Sequence, residues 1–168
     1  MITVKARGID AIIKRLERRR DGLEDKLHLL IEKLGTLGIQ VADTIFKDAP
    51  YDGVRDVAPG VLTWKGKTSA EISVSGTTVL FIEFGTGIHF NTGETYGLEH
   101  GFGPGTYGPN GLRDYWIYEG PPGNAGGVAS TKKPGFTITH GNPPSKAMYA
   151  AGKQMREQIE TIAKEVFG

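Results

Sequence analysis

The chain has no cysteine, which removes disulfides, thiolate metal sites and a cysteine nucleophile together. It also has almost no net charge. With 20 basic and 19 acidic residues the balance is +1, so no general attraction to nucleic acid or to an anionic membrane is expected. No apolar run approaches the ~20 residues needed to span a bilayer, and Met1 leads into no signal-like apolar segment. Synthesis in the cytoplasm is therefore expected, without fixing the destination. No G-x-S-x-G turn offers a serine nucleophile.

Glycine is what the chain has in excess. Of its 25 glycines, fourteen fall between Gly85 and Gly135. A chain of 168 residues suits one domain that buries roughly 70% of its unfolded surface. The expected architecture is α+β: a small antiparallel β-sheet packed against a long N-terminal helix and a C-terminal helix. The body is residues 1–86 and 136–168, and residues 87–135 are a long Gly-rich insertion. Turn dipeptides such as Pro104-Gly105, Asn110-Gly111 and Pro134-Gly135 run through that insertion. A loop of such length is usually functional or mobile.

Residues 2–6 alternate like an edge strand, and residues 9–19 carry a helical spacing through Ile9, Ile12, Ile13 and Leu16. Asp21-Gly22 predicts a break, with Asp21 and Glu24 as a capping box. A second helix then runs to about Lys47, its seam at Leu23, Leu27, Leu30, Leu34, Leu37, Val41 and Ile45. Gly35, Gly38 and Ala42 flank this seam, which predicts close approach of a neighbouring backbone, and Pro50 ends the helix. Residues 61–65, 70–75 and 77–84 read as three strands of a meander. The third of these, with Val79, Leu80, Phe81, Ile82 and Phe84, is apolar on both faces and reads as the central strand. Glu83 within it needs a partner or an exposed face. Residues 136–139 predict one more strand. Pro143-Pro144 predicts the start of a last helix with its stripe at Met148, Ala151, Met155, Ile159, Ile162 and Val166.

Sites of chemistry are scarce. Gly103 to Gly108 fits G-x-G-x-x-G but lacks the strand before and the helix after that a dinucleotide needs. His89, Glu94, Glu99 and His100, with His140 further on, are ligand types for Zn or Mn, but no fixed helical spacing holds them. No metal, cofactor or catalytic residue is assigned. The competing reading is a metal-dependent hydrolase or nuclease using His89, His100 and Glu83. The basic run from Lys14 to Arg20 reads first as a solvated helix end, with Arg18, Arg19 and Arg20 as candidate contacts to DNA. Tyr107, Tyr115, Trp116 and Tyr118 are either interface aromatics or the insertion's own small core.

One order of motifs is familiar. Ala49-Pro50 ends a helical region, Ile82-Glu83-Phe84-Gly85-Thr86 ends an apolar run, an insertion follows, and Gly141-Asn142-Pro143-Pro144 leads into a final helix. This layout resembles the phage neck and tail-completion proteins, also labelled minor tail or head–tail joining proteins. Two places depart from the family pattern: Asp52-Gly53-Val54-Arg55 stands for a Thr-Gly-x-Leu-Arg-like segment, and Ser145-Lys146 replaces a Pro-Phe pair. The resemblance implies a non-enzymatic virion protein that forms a ring, typically a hexamer, between the head connector and the tail tube or terminator. No membrane partner and at most incidental contact with phage DNA are implied. On this reading Glu83, Phe84, Gly85 and Thr86 turn the chain out at a subunit contact, and the insertion reaches a neighbour.

Overall fold

The computed structural model describes residues 9–90, 96–101 and 113–168, with backbone alone for Ile9, Asp10 and Tyr96. The edge strand expected at residues 2–6, Glu94, the G-x-G-x-x-G segment and Tyr107 lie outside the described residues. The architecture is α+β: a long N-terminal helix and a C-terminal helix, with small antiparallel sheets packed against them.

Helix α1 spans Ile9–Asp48, 40 residues without interruption, or about 60 Å at 1.5 Å per residue. The break expected at Asp21-Gly22 is absent. A single helical glycine costs about 1 kcal/mol against alanine, which the helix tolerates here, and a Cβ at Gly22 would meet nothing within 4 Å. Asp21 caps nothing; its Oδ1 accepts from Arg20 Nε and Nη2 at 3.1 and 2.9 Å. At the other end Arg55 donates to the carbonyls of Lys47 and Ala49, which satisfies helix-terminal acceptors just before Pro50.

Strands β1 (Val61–Trp64) and β2 (Ala70–Ser73) form a two-stranded antiparallel hairpin, in register from Val61–Ser73 to Trp64–Ala70. It lies along the small flank of α1. A Cβ on Gly35 would stand 2.6 Å from Leu62 Cδ1, and one on Gly38 would stand 2.7 Å from both Ile72 Cδ1 and Met155 Sδ. The two glycines therefore admit side chains from the hairpin and from the last helix, not a neighbouring backbone. Trp64 stacks on His28 of α1 with ring centroids 3.7 Å apart.

The expected central strand is a helix. Val79–Phe84 forms α2, six residues between Thr78 and Gly85. An apolar run this short has no period that separates strand from buried helix. Once folded, Val79, Ile82 and Glu83 face inward at spacings of three and four, and Leu80 is left exposed. The meander therefore stops at two strands. Helix α3 is one turn, Tyr96–Glu99. Strands β3 (Trp116–Glu119), β4 (Val128–Ala129) and β5 (Phe136–Thr139) make a second antiparallel sheet in the order β3-β5-β4. Two stretches of the glycine-rich insertion are thus paired with the body's own strand. The buried face of β5 is polar: Thr137 donates to Gly120 O at 2.6 Å and Thr139 to Asp52 Oδ2 at 2.7 Å.

Helix α4 spans Ala147–Phe167. It begins three residues after Pro144 because Lys146, at φ +55°, turns the chain first. It runs antiparallel to α1, with Met155 at Gly38, Glu165 2.9 Å from Lys33, and Phe167 beneath Lys26. The core gathers where α1, α2 and α4 meet, around Ala42, Phe46, Ala49, Ile82, Ala147 and Ala151.

Asp56 ties the chain to the start of α2. Its carboxylate accepts from Thr77 N at 2.8 Å and Thr77 Oγ1 at 2.7 Å. Those bonds, the backbone one foremost, hold its pKa below the ordinary 3.8. A depressed folded pKa contributes stability above the ordinary carboxylate range, and that contribution is lost as pH falls through the folded value. The Asp56→Asn variant should therefore lower the thermal midpoint near neutral pH and narrow the gap to wild type as pH falls from about 6 to about 2. Equal loss of midpoint in both proteins across that window would contradict this role.

Candidate functional site

Helix α4 ends at Phe167, beside Lys26, so α1 loses its cover there. Residues 11–23 are exposed throughout. The apolar stripe nevertheless continues: Ile12, Leu16 and Leu23 are each about 60% exposed, and Ile13 nearly half. Their spacing carries the Leu23–Leu27–Leu30 seam backwards by a heptad, so the same face is buried against α4 at one end and bare at the other. Lys14, Arg15, Arg18, Arg19 and Arg20 are interleaved with it. Arg18 Nε donates to Lys14 O at 3.3 Å. The hydrogen bond and charge of Asp21 raise the pKa of Arg20 above its ordinary value. The three arginines are solvent-facing, but they lie inside α1 instead of at the helix end that the sequence suggests, because the helix continues through Asp21-Gly22. All three line a shallow groove together with Leu16, Leu23, Lys26 and Phe167.

Glu83, Gly85 and Thr86 sit at a joint inside the chain instead of at an outward turn. Both Glu83 carboxylate oxygens accept from Met148 N, at 3.2 and 3.1 Å, in the first turn of α4. Segment 142–146 answers by capping α2: Asn142 Nδ2 donates to Phe81 O at 2.9 Å, Ser145 N to Ile82 O at 2.9 Å and Lys146 N to Glu83 O at 3.1 Å. Thr86 and Asn142 form a β-bridge, and Thr86 Oγ1 also donates to Asn142 Oδ1 at 2.5 Å. Each helix end thus supplies the partners that the other lacks. The partner that Glu83 required is a helix N-terminus, where a carboxylate is favoured by the dipole. Phe84 is half-buried, its ring 6.0 Å from that of His100.

Of the aromatic candidates, Tyr115 is exposed, whereas Trp116 and Tyr118 are half-buried on the inner face of β3. Trp116 lies against Gly87, and Tyr118 donates to Pro121 O at 2.7 Å. Tyr51 stands near Tyr118, and burial raises the pKa of its phenol. Asp52 was not a sequence candidate, yet it pins the insertion: its Oδ1 accepts from Gly123 N and Ala125 N at 3.1 and 3.2 Å. Nothing local in Tyr51-Asp52-Gly53 signals contacts more than seventy positions away.

The ligand-type residues divide. Among the described residues, the one group of three able to hold a metal ion is His89, Asp114 and His140. Glu83 and His100 are not in it. Asp114 was missed because it has no metal-like spacing to either histidine.

No family model, no curated protein and no solved structure matches this chain.

Proposed function

We propose that the protein is a structural assembly subunit of the phage neck or tail, of the tail-completion or head–tail joining kind, and that it makes and breaks no bonds. The observation that carries this reading is the projecting end of α1. An amphipathic helix that leaves the body with its apolar stripe bare gains little from its own chain. Contiguous exposed apolar surface bordered by charge marks an association site. Copies arranged head to tail, each laying this stripe on a different surface of the next, form a ring when the rotation from one copy to the next closes the circle. A hexamer between head connector and tail tube or terminator is the arrangement that the motif order suggests, with the virion as its location. Among the described residues no helix is long and apolar enough to cross a membrane.

Two roles shift with the geometry. Because β3 and β4 pair with β5, interlocking falls first to α1 and less to residues 113–135. A hydrolase built on His89, His100 and Glu83 would have to withdraw Glu83 from the start of α4, and for that reason the assembly reading is preferred.

The test is the Ile12→Asp, Leu16→Asp double variant. Burying two such side chains is worth about 3–6 kcal/mol, so each subunit contact should weaken at least ~100-fold. Circular dichroism should stay close to wild type, while rings seen by native mass spectrometry, and joining of heads to tails, are lost. A double variant that joins heads to tails as well as wild type would overturn the proposal.

A further inference from the structure

Three separate segments build the cluster His89–Asp114–His140. His89 follows the Thr86–Asn142 bridge, Asp114 precedes β3, and His140 follows β5. Backbone contacts fix their meeting. Ile88 N donates to Arg113 O at 3.4 Å, and a Cβ on Gly87 would stand 2.8 Å from His140 O. The imidazole rings lie 4.7 Å apart. His89 Nδ1 is 3.7 Å from Asp114 Oδ1, and His140 Nδ1 is 3.9 Å from Asp114 Oδ2.

His140 Nδ1 lies 2.9 Å from the backbone carbonyl of Asp114. A carbonyl only accepts, so Nδ1 carries the proton and the free lone pair is on Nε2. This is the arrangement found in metal-ligating histidines, where the second nitrogen is held by a carbonyl or carboxylate. One ligand atom from each of the three residues lies within 4.8 Å of the others. Around a tetrahedral zinc with bonds of about 2.0–2.1 Å, ligand atoms stand about 3.4 Å apart. All three side chains are exposed, so rotation about their own bonds can bring His140 Nε2 and the other two ligand atoms to that spacing without moving the backbone.

We propose that His89, Asp114 and His140 bind a divalent first-row cation of the Zn2+ class, with water completing the coordination. Two imidazoles and one carboxylate are ligands that suit this class better than Mg2+ or Ca2+. The ion clips the start of the insertion to one end of the β3–β5 pair, where β3 begins and β5 finishes. This inference is independent of the assembly role.

The experiment adds zinc chloride to the metal-stripped full chain. Native mass spectrometry should show one Zn2+ per chain. The thermal midpoint should rise by roughly 5–10 °C at free Zn2+ a hundredfold above the dissociation constant. Co2+ in its place should give the visible absorption of a low-symmetry N/O site. The His89→Ala, His140→Ala double variant and the Asp114→Asn variant should each weaken binding at least tenfold. His28→Gln, which changes a remote imidazole stacked on Trp64, should leave it unchanged. Circular dichroism checks that the variants fold, and Asp114→Asn alone decides if the double variant does not. Zn2+ bound as tightly by that deciding variant as by wild type overturns the proposal. So does a wild-type chain whose mass and midpoint do not respond to Zn2+.

Discussion

The Gly141→Ala variant should lose about 4 kcal/mol or more of stability, near the upper end for single substitutions. In a protein of this size that lowers the thermal midpoint by about 8–16 °C. Gly141 adopts φ +89°, and a Cβ there would lie 2.1 Å from the carbonyl oxygen of Thr86 and 2.7 Å from its carbon. These are backbone atoms, so no side-chain rotation relieves the clash. The Thr86–Asn142 bridge must open, and with it go the bonds from Asn142 to Thr86 Oγ1 and Phe81 O. Gly135→Ala is the natural control. Its φ of +83° is nearly the same, but nothing lies within 4 Å of the added carbon. That variant should show the conformational cost alone, about 1–2 kcal/mol. Equal losses for the two variants in urea titrations would mean that the close approach contributes nothing.

The second large effect is expected at Glu83. Removing the carboxylate in Glu83→Ala uncaps α4, empties a site only 3% exposed and should cost about 2–4 kcal/mol. Glu83→Gln keeps an acceptor for Met148 N but gives up the charge facing the helix dipole, and should cost about 1 kcal/mol. The order matters more than either value. If glutamine and alanine are equally damaging, the negative charge is what α4 requires; if both lie within about 0.5 kcal/mol of wild type, the joint is not a source of stability. Equilibrium unfolding followed at the helical signal reads all three proteins.

Both residues belong to the motifs that carried the sequence resemblance, and the structure shows what those motifs do together. Ile82 to Thr86 and Gly141 to Pro144 are two halves of one helix-to-helix joint. The sequence does not show that they meet, because the contact spans 56 positions and leaves no periodic trace. The same limit explains the misread strand. Six residues, five of them apolar, fit either secondary structure, and what selects the helix is the pairing of its last carbonyls with segment 142–146. Legibility was better where the pattern was long. The flank of Gly35, Gly38 and Ala42 is buried, although Gly35 and Gly38 lie under side chains instead of the neighbouring backbone that they predict, and the stripe on α4 holds through Ala151 and Val166 while Ile159 is left exposed. Asp21-Gly22 misleads because local breaker chemistry takes no account of the helix of 40 residues that continues through it. His89 and His140 were visible as ligand types, whereas Asp114 joins them only through the turn that brings residue 113 beside residue 88.

The joint has a consequence for how this chain tolerates change. A clasp between two points of a polymer constrains the stretch between them by an entropy that grows only with the logarithm of its length. Doubling that stretch costs about 0.6 kcal/mol, less than one charge-assisted hydrogen bond at the clasp. Sequence inserted between Gly87 and Trp116 should therefore lengthen or shorten over generations at nearly constant stability. The two helix ends on either side keep the body shut whatever passes between them.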